Sequence, residues 1–313
     1  MNEPLSYFVK YKEAVDNTTL DVARSVLSND ITSALGIVSG HSAENDVALS
    51  KQKDKIQQEL DKLDAMLNNF KVGIEKELRQ KETTYLSKSY TLYEDAGDTA
   101  EYILERRQKH PVVQDGEIKK KLIHTISENC TWQYPGVIIR PTYSDLINPM
   151  ISLDPLYIMD EDLALLKETK KNWTAEYQSR LRYSIINDND EVIFKKIPQN
   201  QIGFVLVADF FNYKPLSIIQ KYTTEIYNLL RPGGVLLFTY NNCNLANGVR
   251  NFEKMLYSYT PESLVRPMLE DLIGFEYVSS FSDPNSNTNW IEVKKPGTRT
   301  TLRGGQTLGK IVV

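Results

Sequence analysis

The stretch 229–242, Leu-Leu-Arg-Pro-Gly-Gly-Val-Leu-Leu-Phe-Thr-Tyr-Asn-Asn, limits the possible folds of this chain more than any other. Before it, apolar residues recur at helical spacing, at Ile218, Ile219, Tyr222, Ile226, Leu229 and Leu230. We expect Pro232 and the two following glycines to end this helix, because proline lacks a backbone donor and glycine tolerates positive φ. The apolar run 235–240 then predicts a buried strand. A helix, a tight turn and an apolar strand make half of an α/β crossover, which predicts a mostly parallel sheet covered by helices.

Helix and strand patterns alternate on both sides of this stretch. Amphipathic or polar helical patterns cover 116–129 and 163–181, and a helical region after residue 242 runs to Leu272 with interruptions near Pro261 and Pro267. Short apolar runs predict earlier strands at 137–139, 156–159, 183–186 and 201–208. Two last strands, 275–281 and 289–293, flank the turn residues 282–286, which favours a closing hairpin.

Composition excludes several classes of function. The chain has 313 residues, 41% of them hydrophobic, so it can bury a large core in more than one structural unit. Its net charge of −4 and the lack of a basic cluster argue against nucleic-acid binding through bulk electrostatics. Two cysteines and three isolated histidines give neither a disulfide framework nor a metal site. Without a signal-peptide pattern or a membrane-spanning run, we expect a cytoplasmic or virion protein.

A heptad pattern runs through the lysine- and glutamate-rich segment that begins near residue 44. Its apolar positions are Leu49, Ile56, Leu63 and Phe70 in one set and Leu60, Leu67 and Ile74 in the other. Lys53 stands at one seam position, where it costs stability but fixes register. This pattern predicts a coiled coil over 45–80 that joins the chain into a homo-oligomer, a dimer or a trimer. The alternative is a long helix packed on its own domain.

The segment 83–102 is rich in tyrosine, and we expect its aromatic rings to pack as a connector rather than to bind a ligand. Pro111 marks the next boundary, since proline ends a preceding helix. The sequence thus predicts an N-terminal helical or irregular segment (1–43), a coiled coil with a helical connector (44–110), an α/β domain (111–296) and a C-terminal tail (297–313).

The region 119–296 resembles the class I S-adenosylmethionine-dependent methyltransferases. Leu-Leu-Arg-Pro-Gly-Gly-Val-Leu-Leu-Phe at 229–238 is its most specific part, and 274–278 and 290–296 match the family's last two strands. The resemblance implies a Rossmann-like, mostly parallel seven-stranded sheet with a final antiparallel hairpin. It also implies that S-adenosylmethionine, if it binds, lies across the carboxyl ends of the first strands.

The expected cofactor loop departs from the family pattern. The family places an acid in the first strand and glycines in the next turn, because the chain there passes close to the cofactor. Here Ile138 takes the acid's position, and Arg140, Thr142 and Ser144 take the glycine positions. Arg140 is large enough to fill the pocket. Asp160, at the end of the second strand, matches the carboxylate that binds the cofactor's ribose hydroxyls; Glu161 or Asp162 takes that role if the register slips.

Polar residues after the fourth and fifth strands are the candidates for substrate contact. Asp209 and Asn212 follow the fourth strand, and Asn241 and Asn242 follow the fifth. An exposed loop is the simpler interpretation of the first pair, and helix capping is equally consistent with the second. No catalytic residue is assigned, and the sequence contains neither a phosphate-binding glycine loop with lysine nor a nucleophile elbow.

Two functions follow from this pattern. The first is an oligomeric structural or assembly protein with a degenerate cofactor site, working with other protein components, for example in the tail or neck of a bacteriophage particle. The alternative is an active S-adenosylmethionine-dependent methyltransferase that oligomerises through its coiled coil. A third interpretation is a sensor that binds the cofactor through Asp160 and the asparagines without turnover.

Overall fold

The computed structural model describes residues 5, 9, 10, 12, 43–95, 115–141, 144–171, 173–254, 257–283 and 288–297. The chain divides into two compact units, Met1–Thr84 and Tyr85–Val313. Most of the predicted segment 1–43 lies outside the described residues, as do the predicted boundary near residue 110, the turn 284–287 and the tail beyond residue 297.

A single long helix, α1 (Ala43–Asp95), has 53 residues and is therefore about 80 Å long at 1.5 Å per residue. It contains the predicted coiled-coil segment and continues through three of the tyrosines of the connector. Ile56, Leu63 and Phe70 of the heptad seam are 41, 52 and 50% exposed. These three positions are exposed in the single chain, whereas Ile74 of the seam is buried. The coiled coil itself stays a prediction. Among the helices described, none has the length and apolar composition needed to span a bilayer.

The second unit is built around a seven-stranded sheet of order β3-β2-β1-β4-β5-β7-β6. Its strands are β1 (Gly136–Ile139), β2 (Leu156–Asp160), β3 (Leu181–Ile185), β4 (Ile202–Val207), β5 (Leu230–Tyr240), β6 (Glu276–Asp283) and β7 (Thr288–Lys294). Strands β1 to β5 are parallel, and β7 lies antiparallel between β5 and β6. This is the methyltransferase-like α/β fold with a final antiparallel hairpin that the sequence predicts.

Helices cover both faces of this sheet. They are α2 (Gly116–Asn129), α3 (Ser144–Ile147), α4 (Leu163–Lys171), α5 (Ala175–Gln178), α6 (Leu216–Leu229), α7 (Ala246–Glu253) and α8 (Glu262–Pro267), with 3-10 turns at Asn148–Ser152 and Phe211–Tyr213 and a π turn at Met268–Ile273. Alternate residues of β4 enter two separate cores, as strand geometry requires. Val205 and Val207 join the core under α6 and α8, whereas Phe204 and Leu206 join the core under α2 and α4.

The Pro-Gly-Gly sequence does not end the helix as the sequence predicts. Helix α6 stops at Leu229, and Leu230 already pairs with Ile202 of β4. The register then jumps to Val235 beside Phe204, so 231–234 form a bulge within β5. Gly233 has a φ of 74°, and a Cβ on Gly234 would lie 2.9 Å from the carbonyl oxygen of Ile202. The glycines therefore serve the bulge rather than the end of the helix.

The predicted helix 163–181 is divided. Trp173 leaves the helical path between α4 and α5 and packs against the core under α2 and α4. Strand β3 begins at Leu181, two residues before the predicted start at residue 183, because Leu181 is buried and pairs with Leu156 of β2. Burial of Trp173 thus accounts for the break between α4 and α5, and burial of Leu181 accounts for the earlier start of β3.

A hydrogen bond joins the start of α2 to the end of β6. The carboxylate of Asp115 caps α2 by accepting from the amides of Glu117 and Ile118. The amide of Asp115 donates to the carboxylate of Asp283 at the end of β6 (3.0 Å). In β7, Trp290 is fully buried in the core under α2 and α4. The last hairpin thus completes both the sheet and a core.

Candidate functional site

The carboxyl ends of β1 to β5 meet at one edge of the sheet, because these strands are parallel. Arg140 follows β1, Asp160 ends β2 and Asp209 lies just after β4. Asp188 follows β3, and Asn241 follows β5. In a doubly wound sheet this edge is where ligands bind, so it is the candidate site.

Arg140 lies buried across the ends of β1 and β2. Its amide donates to the carbonyl oxygen of Met159 (2.8 Å), and its backbone has a φ of 61°. The side chain is only 4% exposed, and its guanidinium carbon lies 4.8 Å from the centre of the Phe210 ring. Its Nη2 atom is 3.6 Å from an oxygen of Asp160 and 3.6 Å from an oxygen of Glu161. The guanidinium thus occupies the space between the two strand ends.

Asp160, the predicted ribose-binding carboxylate, faces this guanidinium and is fully buried. Its Oδ1 atom accepts from the amide of Asp162 (3.2 Å). Within the described part of the chain, its Oδ2 atom and the Nε atom of Arg140 have no hydrogen-bond partner. The two side chains therefore neutralise each other mainly by charge, since 3.6 Å exceeds hydrogen-bonding distance.

Lys214 is a second buried cation at the same edge. Its ammonium lies 2.6 Å from Glu161 Oε1 and 2.6 Å from Asp188 Oδ2. It also lies 4.8 Å from the ring centre of Tyr93 and 4.9 Å from that of Phe210. The 3-10 turn before it and Pro215 at the start of α6 fix its position. We name Arg140, Asp160, Glu161, Asp188 and Lys214 the buried charge cluster; four of these side chains are buried, and that of Glu161 is 27% exposed.

Asp188 is the best-connected carboxylate of the buried charge cluster. Besides the ammonium of Lys214, it accepts from the hydroxyls of Tyr93 and Tyr222. The ammonium of Lys221 donates to the carbonyl oxygens of Asp188 (2.7 Å) and Asp190 (2.6 Å), which holds the loop after β3 in place.

The charges shift one another's ionisation. Burial raises the pKa of Glu161 to about 7, with a further contribution from Asp188 and an opposing one from Lys214. Burial alone would raise the pKa of Asp188 too, but hydrogen bonds and the charge of Lys214 hold it at about 2. Burial disfavours the charged form of Arg140, yet the surrounding carboxylates leave its pKa above the usual value. Glu161 is therefore the member that can change charge near neutral pH.

The predicted substrate residues Asp209 and Asn212 are buried and bonded to each other. Asp209 has a φ of 53°, and its amide donates to the hydroxyl of Thr239 (2.6 Å). Its carboxylate accepts from the amide of Asn212 (3.1 Å) and the hydroxyl of Tyr213 (3.4 Å). This strained turn is therefore held within the protein, and the pair does not form an exposed loop.

The predicted asparagines after β5 also make internal hydrogen bonds. The amide of Asn241 donates to the carbonyl oxygens of Gly248 (3.0 Å) and Ser258 (2.9 Å). Asn242 donates to the carboxylate of Glu262 (2.7 Å) and accepts from that residue's amide (3.3 Å). These side chains join β5 to α7 and to the first turn of α8. Their observed contacts are structural, and their role toward a substrate stays a prediction.

The side chains of two predicted cofactor-loop residues, Thr142 and Ser144, lie outside the described part of the structure. Thr142 lies outside the described residues, and only the backbone of Ser144, at the start of α3, is described. Among the residues that are described, no group of three or more His, Cys, Asp or Glu side chains is placed to hold a metal ion.

Sequence reasoning missed Lys214 and Asp188. Both follow predicted strands on the edge where parallel strands end, so the rule that selected Asp160 would also have selected Asp188. Lys214 stands between aromatic residues and a proline, in Phe-Phe-Asn-Tyr-Lys-Pro at 210–215. A lysine in such an apolar stretch signals a buried and paired charge.

The residues at this edge do not fit S-adenosylmethionine. The sequence after β1, Arg140-Pro-Thr-Tyr, contains no glycine, so it lacks the residue type that a close backbone approach needs. The guanidinium of Arg140 faces Asp160, the carboxylate that the sequence predicts to accept the ribose hydroxyls. Arg140 and Lys214 thus already form ion pairs with the carboxylates at the end of β2.

No protein-family model and no curated protein sequence matches this chain. Among solved structures, it is similar to the N-methyltransferase NodS of Bradyrhizobium japonicum in complex with S-adenosyl-L-homocysteine (13% identity, 68% of this chain, 98% of NodS, TM-score 0.46). It is also similar to an S-adenosylmethionine-dependent methyltransferase of Mesorhizobium loti (9% identity, 58% of this chain, 99% of that chain, TM-score 0.45). An O-methyltransferase family protein of Burkholderia thailandensis is a further match (13% identity, 58% of this chain, 57% of that chain, TM-score 0.45). At these identities the likeness concerns the fold alone.

Proposed function

We propose that the α/β unit is a methyltransferase-like domain that does not use S-adenosylmethionine and serves as a non-catalytic component of a protein assembly. The observation that supports this most is the buried guanidinium of Arg140 between Asp160 and Glu161. A fold does not determine a function, so the argument rests on this site. The virus tail or neck suggested by the sequence is one assembly of this kind.

The ion pairs at the end of β2 also argue against cofactor binding. A methyltransferase of this class presents a carboxylate to its cofactor, and here the two carboxylates at the end of β2 each face a cation. Freeing Asp160 for a ligand would leave the buried guanidinium without part of its counter-charge, which is costly in a dry site. The cofactor would thus have to displace an internal ion pair before it could bind.

Titration calorimetry of the whole protein with S-adenosylmethionine and with S-adenosylhomocysteine tests this proposal. We expect no binding heat with either compound. Binding in the micromolar range, about −8 kcal/mol, would contradict the proposal and favour the active methyltransferase. A thermal melt of the same sample provides the control that the domain is folded.

We further propose that the chain forms a homo-oligomer through the heptad seam of α1. Replacing Leu63 and Leu67 by aspartate places charges on the seam and is expected to convert the oligomer to a monomer, measured as mass by light scattering. Val72→Asp is the matched control, because Val72 is 63% exposed and lies outside the seam. An unchanged mass in the double variant would disprove the coiled coil.

A further inference from the structure

The last turns of α1 belong to the α/β unit and contact it along one helix face. Tyr85, Ser89 and Tyr93 are four residues apart, so they share that face. The Tyr85 ring lies 5.0 Å from that of Phe252, and its hydroxyl donates to Glu253 (3.0 Å). Ser89 is 1% exposed, and its hydroxyl oxygen accepts from the amide of Tyr259 (3.0 Å). The first half of this face is thus fixed to α7 and the segment after it.

Tyr93 carries the same face into the candidate site. Its hydroxyl donates to Asp188, the loop residue after β3, and its ring lies beside the ammonium of Lys214. The helix end therefore contacts segments that follow β3, β4 and β5, at the edge where these strands end. Segment 85–95 lies against the buried charge cluster.

We propose that segment 85–95 is a latch over the carboxyl edge of the sheet, held by the Tyr93–Asp188 hydrogen bond and released when Glu161 loses its proton. The latch is a device of the fold and does not depend on whether any cofactor binds. Calorimetry tests cofactor binding, whereas hydrogen exchange tests the latch. Either result can therefore contradict its own proposal without affecting the other.

The reason for release lies in the groups that face Glu161 and Asp188. They are Arg140 after β1, Lys214 before α6, Lys221 and Tyr222 in α6, and Tyr93 in α1. When Glu161 is protonated, the two cations of the cluster, Arg140 and Lys214, face two carboxylates, Asp160 and Asp188. When Glu161 ionises, three carboxylates share the same two cations, and the excess negative charge is repulsive. The cluster that holds Tyr93 is then weakened.

The sign of the pH effect follows from burial. The pKa of Glu161 is raised to about 7 in the folded protein, above its unfolded value. Its contribution to stability is therefore fully present below the unfolded pKa and is lost as pH rises through about 7. We expect the latch to be closed in mildly acidic solution and to loosen in mildly alkaline solution.

Amide hydrogen exchange of the full chain at about pH 6 and about pH 8 tests the latch, with rates corrected for intrinsic exchange and compared with those of α6. We expect amides of segment 85–95 to lose protection at the higher pH, while α6 keeps its own. Glu161→Gln, which keeps a hydrogen-bond donor at every pH, should remove this difference. Equal protection of the wild-type segment at both pH values would overturn the proposal.

Two further variants test whether the Tyr93–Asp188 hydrogen bond itself protects segment 85–95, rather than the overall stability of the domain. Tyr93→Phe keeps the ring and should speed exchange of segment 85–95 by about tenfold or more at the lower pH, because a hydrogen bond to a charged group is lost. Tyr90→Phe is the matched control, since Tyr90 lies on the same helix and is 41% exposed. If both variants exchange like the wild type, Tyr93 does not hold the segment and the proposal is wrong.

Discussion

Replacing Lys214 with methionine is expected to destabilise the α/β unit by about 3–5 kcal/mol, because it leaves buried carboxylates without their cation. The Lys214 side chain is 7% exposed, and its ammonium lies 2.6 Å from a carboxylate oxygen of Glu161 and 2.6 Å from one of Asp188. Methionine has a similar length, so lost packing contributes little. All three tryptophans, Trp132, Trp173 and Trp290, lie in this unit, and their fluorescence in a urea titration therefore reports its free energy of unfolding.

The matched control for this prediction is Lys195→Met. Lys195 also pairs with an aspartate, Asp190 at 3.5 Å, but both side chains are largely exposed. Water screens such a pair, so the loss should stay below about 1 kcal/mol. A similar small loss for Lys214→Met would show that the buried charge cluster contributes little to stability.

Arg140→Gly is expected to give the protein measurable affinity for S-adenosylmethionine, at least about tenfold above the wild type, or about 1.4 kcal/mol. Glycine is favoured at this position, since the backbone φ is 61°. The substitution also removes the side chain that lies between β1 and β2 and frees the buried carboxylate of Asp160. Titration calorimetry with S-adenosylmethionine and S-adenosylhomocysteine measures the gain.

Arg180→Gly is the control for removing an arginine from an ion pair, because Arg180 contacts Asp154 (3.3 Å) away from the candidate site. It should bind neither compound. Equal binding of S-adenosylmethionine by Arg140→Gly and the wild type would mean that the cofactor loop has been assigned to the wrong residues. Tryptophan fluorescence shows whether each variant is folded.

The sheet was predictable because its signals are local. Apolar runs such as 202–207 are long enough and bounded by turn residues, so they identify buried strands directly. Parallel order then follows from the alternation of helices and strands. The end of α6 was predicted within one residue, but the predicted Pro-Gly-Gly turn was wrong. Pro232 and its glycines form a bulge in β5, which only the pairing with β4 reveals. A Pro-Gly-Gly sequence is compatible with a turn that ends a helix and with a strand bulge. Pairing of β5 with β4 determines that it forms the bulge.

The candidate site was predictable only in part. Arg140 and Asp160 stand beside predicted strands, so their place at one edge followed from the parallel sheet. The ion pairs of Arg140 with Glu161 and of Lys214 with Glu161 and Asp188 depend on three loops that come together in space. Tyr93 adds a contact across 95 positions of sequence, which no spacing pattern encodes. Residues that bury a charge are therefore found only when the fold is known.

The place of β7 determines when this domain can fold during synthesis. β7 is made last but lies between β5 and β6, and it supplies Trp290 to one of the two cores. Until β7 is available, the edge of β5 that it covers, Val235–Tyr240, is open and mostly apolar. Such an edge pairs readily with other chains. We therefore expect this edge of β5 to stay unpaired until the chain through residue 294 is free to fold.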